Sequence, residues 1–86
     1  MKPEVTVFSS PLCAPCERLK AYLRERGVEF VVRDVMVDED AALLLESRNI
    51  RTTPVLMVED ELIVGFDRDR IDRLLDARGK RFARRA

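Results

Sequence analysis

The chain has no histidine, no tryptophan and no glutamine, and only two cysteines among its 86 residues. Without an imidazole, Ser-His-Asp and Cys-His hydrolytic mechanisms are excluded, because no base of ordinary pKa titrates near neutrality. Two cysteines also leave a tetrahedral zinc site two ligands short, unless two chains share it. So small a count argues equally against a secreted disulfide scaffold, which would carry four or more in a domain this size. No apolar run approaches the roughly 20 residues that span a bilayer. Met1-Lys2-Pro3-Glu4 leads toward a strand without the apolar core of a signal peptide, so the expected location is the cytoplasm, with no membrane partner. Aromatics are scarce, with four Phe and one Tyr, so Val, Leu and Ile must fill the core of what reads as a single domain.

Formal net charge is zero, but the sum hides an asymmetry. Residues 1–77 hold all sixteen acids and eleven of the sixteen basic residues, a charge of −5. Arg78, Lys80, Arg81, Arg84 and Arg85 make the tail basic. An acidic body does not attract nucleic acid, so no such partner is expected. The folded domain is expected over 1–77, with 78–86 as a basic C-terminal tail that folding does not need.

What is present centres on Phe8-Ser9-Ser10-Pro11-Leu12-Cys13-Ala14-Pro15-Cys16. A β-prone run of Val5, Val7 and Phe8 precedes it, and Leu19, Tyr22 and Leu23 follow at helical spacing. The cysteines therefore fall where a strand becomes a helix. A separation of three puts both thiols on one face of the first helical turn, close enough to bond after a small adjustment. Cys13, at the cap, lies near the unpaired N–H groups and partial positive charge of the helix start, which favour thiolate over thiol. Such sites lower a thiol pKa from roughly 8.5 into the range of about 3.5–7.5, so Cys13 is the candidate nucleophile. Cys16, one turn further in, is the candidate resolving thiol that attacks the mixed disulfide. Pro15 suits a first helical turn, where its missing N–H has no partner to lose. A purely structural disulfide here would close too short a loop to remove much entropy from the unfolded chain.

The first strand is expected at residues 4–8 and the first helix from Ala14 to Arg26, stopped by Gly27. Residues 28–32 read as a second strand, which the helical crossover makes parallel to the first. Asp38 is placed to cap a second helix with Ala41, Leu44 and Leu45 inward and Leu43 at its margin. Beyond Pro54, Val55-Leu56-Met57-Val58 is apolar on both faces, as a central strand covered on both sides should be. Glu59-Asp60 would turn the chain into Glu61-Leu62-Ile63-Val64, an antiparallel partner. Asp67 then caps a third helix, with Ile71, Leu74 and Leu75 inward and Gly79 as its stop. The expected class is α/β, in the order βαβ-α-ββ-α, with three helices flanking the sheet.

With this order, Cys13-Ala14-Pro15-Cys16 after the first strand and Thr53-Pro54 opening the third, the chain resembles the glutaredoxin branch of the thioredoxin superfamily over residues 4 to about 77. The resemblance implies a thioredoxin-like fold with a four-stranded mixed sheet in the order 2-1-3-4. It implies a redox-active Cys13–Cys16 disulfide and no bound cofactor. It also implies a cis Thr53-Pro54 bond facing the dithiol, with the Thr53 backbone pairing with a bound substrate chain. The activity implied is reduction of disulfide-containing protein substrates by a monomer.

Two readings divide the branch. Glutathione-using glutaredoxins usually carry a lysine three residues before the first cysteine and a Gly-Gly pair ahead of the third helix. Here Ser10 and Val64-Gly65 stand at those positions, although Arg51-Thr52-Thr53-Pro54 and Asp67 resemble the family pattern. Gly65-Phe66 instead resembles the Gly-Phe step of NrdH-redoxins, which thioredoxin reductase reduces and which feed electrons to ribonucleotide reductase. The implied reductant is therefore thioredoxin reductase, gripping a surface around Leu12, Pro54 and Phe66, with glutathione as the alternative. A third reading is an adaptor or iron–sulfur carrier whose cysteines bind a cluster instead of exchanging.

Overall fold

Two short central strands apolar on both faces build the centre of the molecule. The structure, a computed structural model, describes residues 4–77. Its elements are β1 (Val5–Ser9), α1 (Ala14–Glu25), β2 (Val31–Asp34), α2 (Glu39–Ser47), β3 (Val55–Val58), β4 (Glu61–Val64) and α3 (Arg68–Ala77). The helix stop expected at Gly79 and the basic tail lie outside the described residues.

The sheet has the order β2-β1-β3-β4. β1 is parallel to β2 and antiparallel to β3, which is antiparallel to β4, as the crossover and the two-residue hairpin require. Glu59 takes the positive φ of 58° that such a hairpin turn uses at its first position. Because side chains alternate along a strand, Val5, Val7, Leu56, Val58 and Ile63 fall on one face of the sheet. They join Leu19 and Leu23 of α1 and Ile71, Leu74 and Leu75 of α3 in the larger core. On the other face Phe8 and Val55 pack with Ala41 and Leu45 of α2, with Leu44, Met57 and Leu62 half-buried beside them. Leu43 points to solvent.

The second strand begins three residues later than the sequence suggests, at Val31 and not Val28. The reason is the helix end before it. Gly27, at φ +72°, donates to Arg24 O, and Val28 donates to Leu23 O, so both form the paired closing bonds of a Schellman motif. Val28 is thereby spent on the helix cap and buried in the core, and only after Phe30 can the chain join the sheet. Arg26 is the cap residue, so α1 ends at Glu25. Asn49, at φ +60°, closes α2 in the same way, with Asn49 donating to Glu46 O and Ile50 to Leu45 O. β2 is an edge strand, and Val31 and Val32 are accordingly exposed. Among the described residues, no helix is long and apolar enough to cross a membrane.

Candidate active site

Parallel pairing of β1 and β2 makes α1 start at the end of β1, which delivers the two cysteines to one edge of the molecule. Cys13 is the N-cap of α1, with extended backbone angles, and Pro15 lies in the first turn. Its sulfur accepts a hydrogen bond from the Cys16 N–H at 3.1 Å, the place a capping oxygen would take. The two residues are joined as a disulfide with their Cα atoms 5.2 Å apart. Cys16 is fully buried, whereas Cys13 is partly exposed. An incoming group can therefore reach only Cys13.

Leu12 precedes the pair at φ +56°, a left-handed conformation that costs a branched L-residue roughly 1–2 kcal/mol. That backbone turn holds its side chain entirely in solvent next to Cys13 in the chain.

The Thr53-Pro54 bond is cis, as the resemblance implies. Thr53 O and Thr53 Oγ1 each lie 3.9 Å from the Cys13 sulfur, so the two loops meet at the same end of the sheet. Pro54 is buried, and its carbonyl accepts from the Gly65 N–H at 2.8 Å, which ties the end of β4 to the cis-proline loop. Asp67 caps α3 through the Arg70 N–H. The expected site residues thus divide about Pro54. On the α2 side, Arg51, Thr52 and Thr53 line an open groove of ≈ 390 Å³ with Ser10 and an apolar floor including Val35, Leu45 and Ile50. On the α1/α3 side stand Gly65, Phe66 and Asp67, with Phe66 half-buried against the larger core.

Two features escape sequence reasoning. Ser10 Oγ lies 2.7 Å from Thr53 Oγ1, joining loops 43 residues apart. Tyr22, legible only as an inward helical residue, instead meets Phe66 and Arg68 with its ring and Asp72 with its hydroxyl. Nothing in the spacing of residues announces either contact. Among the described residues, no cluster of three or more His, Cys, Asp or Glu side chains could hold a metal ion.

Residues 5–63 match a family model described as glutaredoxin. An uncharacterized glutaredoxin-like 8.6 kDa protein in the rubredoxin operon of Clostridium pasteurianum is 32% identical over 75 residues, 84% of this chain and 97% of that protein. The glutaredoxin-like protein NrdH of Salmonella typhimurium is 34% identical over 70 residues, 81% of this chain and 86% of that protein. Among solved structures, the glutaredoxin-like NrdH-redoxin of Escherichia coli, noted for a thioredoxin-like activity profile, is similar with a TM-score of 0.77 at 30% identity. That match covers 83% of this chain and 93% of the other.

Proposed function

The chain belongs to the glutaredoxin family, and on that premise we propose that it is a redoxin of the NrdH kind, reduced by thioredoxin reductase and donating electrons to a protein disulfide such as that of ribonucleotide reductase. Thiol–disulfide oxidoreduction itself is the activity of its family and its CxxC pair. The finer reading concerns which residues act and what feeds them.

Cys13 attacks as the thiolate. Its sulfur breaks the partner's disulfide, forms a mixed disulfide and releases one partner thiolate, which takes up a proton. Cys16 then attacks the Cys13 sulfur, releasing the second partner thiol and leaving the Cys13–Cys16 disulfide. Two electrons have passed from the dithiol to the partner, and no bound cofactor takes part. The Cys16 N–H and the helix start behind it stabilise negative charge on Cys13 in each direction of the exchange. Thr53, against that sulfur, is placed to pair through its backbone with the partner's chain, and Leu12, Pro54, Gly65, Phe66 and Asp67 flank it.

The observation that carries the choice of reductant is Ser10. Where glutathione-using relatives carry a lysine, this chain holds a short hydroxyl turned onto Thr53. The lysine that would meet the glycine carboxylate of glutathione is missing at position 10, leaving Arg51 as the charged side chain of the groove, and losing one charged contact of that kind costs about 1.5–3 kcal/mol. A reductase grips a broad, largely apolar surface, to which one missing charge matters little. The thioredoxin-like profile of the Escherichia coli relative agrees with this. Such a redoxin works as a monomer in the cytoplasm, where NADPH supplies its reductase.

The test compares reduction of the oxidised protein by NADPH with thioredoxin reductase from the same cell and by millimolar glutathione with glutathione reductase. Fast turnover with the first and slow turnover with the second is expected. The reverse result returns the protein to the glutathione-dependent glutaredoxins.

A further inference from the structure

The connection from β4 to α3 is three residues long, Gly65, Phe66 and Asp67, and it borders the cis-proline loop. Its backbone is fixed at one end by the Gly65–Pro54 hydrogen bond and at the other by the Asp67 cap. Neither contact sets where the Phe66 side chain points, since a phenyl ring has several staggered orientations. Tyr22 does. Its ring meets Phe66 edge to face, with centroids 5.9 Å apart and planes at 68°. The Arg68 guanidinium lies over the same ring, 5.0 Å from its centre. The Tyr22 hydroxyl donates to Asp72 Oδ1, one turn further along α3, and Arg26 donates to that oxygen at 2.7 Å.

We infer that Tyr22 is a positioning residue for partner recognition, its ring holding Phe66 and Arg68 in place while its hydroxyl, anchored on Asp72, fixes the ring. The inference rests on the proposed contact between the partner and the Gly65–Asp67 segment. Tyr22 lies on α1, the helix that Cys13 caps, so the same rigid element aims both the reactive sulfur and the surface beside it. Tyr22 first, and Arg26 after it, hold the Asp72 carboxyl below the usual carboxylate range, so the anchor stays ionised at working pH. Because Tyr22 lies six residues, nearly two helical turns, beyond Cys16 on α1, a disulfide too small to reach Phe66 does not depend on it.

The experiment measures KM and kcat for reduction by NADPH and thioredoxin reductase, alongside turnover of bis(2-hydroxyethyl) disulfide driven by dithiothreitol. Wild type, Phe66→Ala, Tyr22→Leu and Tyr22→Phe are compared. Tyr22→Leu is expected to raise KM for the reductase roughly three- to tenfold, the scale of an aromatic contact, with kcat and small-disulfide turnover within about twofold of wild type. Tyr22→Phe keeps both ring contacts but loses the anchor on Asp72, and should recover only part of that loss. Phe66→Ala should raise KM at least as far. If Phe66→Ala leaves KM unchanged, or the reductase fails to turn over the wild type, the underlying reading falls and the inference with it. If Phe66→Ala raises KM but Tyr22→Leu does not, the inference alone is overturned. Equal loss of both activities in Tyr22→Leu overturns it too, showing a residue that only holds the fold.

Discussion

Ser10 Oγ and Thr53 Oγ1 lie 2.7 Å apart, a hydrogen bond that joins the loop before the dithiol to the loop carrying the cis proline. Ser10 is thereby a brace between two loops, in a position where a glutathione-binding relative would place a charge. Ser10→Lys should restore that charge and lower the KM for glutathione roughly tenfold or more. Reductase-driven turnover should fall only through the lost brace, by about threefold at most. Parallel steady-state assays with the two reductants check this, and an unchanged glutathione KM would show that position 10 does not select the reductant.

The proposed division of labour between the cysteines predicts different outcomes for two single variants. Cys13→Ser should abolish disulfide reduction, because Cys16 is fully buried and cannot reach a partner. Cys16→Ser should retain attack by Cys13 but trap the mixed disulfide, visible by mass spectrometry as an adduct that dithiothreitol releases. In the reduced wild type, iodoacetamide at pH 6 should label Cys13 well before Cys16. Preferential labelling of Cys16 would contradict the assignment.

Asp38 predicts a pH dependence. Its carboxylate accepts two bonds from Arg33, at 2.9 and 3.1 Å, and a capping bond from the Ala41 N–H at 3.0 Å. The Arg33 bonds first, and the cap after them, hold its folded-state pKa below the ordinary value. Its stabilising contribution is complete above the unfolded pKa of about 3.9 and is lost as pH falls through the lower folded value. Asp38→Asn retains a capping oxygen but cannot ionise. In urea titrations of the oxidised protein, the stability gap between wild type and variant should be constant above about pH 5 and narrow toward pH 2. A gap of constant size over that range would rule out the linkage.

Ile71 holds α3 to the sheet. It is fully buried in the larger core with Leu19, Leu23 and Ile63 around it. Ile71→Ala should cost about 2–5 kcal/mol, a large share of the roughly 5–15 kcal/mol that keeps a domain folded. The denaturation midpoint should drop with little change in slope. A loss below about 1 kcal/mol would mean that α3 is held mainly by its surface contacts with α1.

Most of what is periodic was legible in the sequence, although the local helix-closing bonds of Gly27 and Val28 were not. Val5, Val7 and Phe8, the run Val55–Val58, and Ile71, Leu74 and Leu75 announce their elements because strand and helix periods decide which faces are apolar. The right-handed, parallel βαβ unit follows from crossover geometry. Cys13, Pro15 and Cys16 announce a dithiol at a helix start, since capping and proline tolerance act over a single turn.

What tertiary structure alone decided depends on contacts between residues distant in the chain. Val28 left the strand because the core shared by β1, β3, α1 and α3 took its side chain while local helix-closing bonds took its N–H, and hydrophobicity does not distinguish core burial from β pairing. The Ser10–Thr53 brace and the Tyr22 anchor join positions 43 and 50 residues apart, so no window of sequence contains both partners. Local residue chemistry therefore determined that this chain carries a dithiol at the end of a strand. The folded sheet, by bringing the loops of β1, β3 and β4 to one edge, decided what surrounds that dithiol, because only a closed fold makes such separations into neighbours.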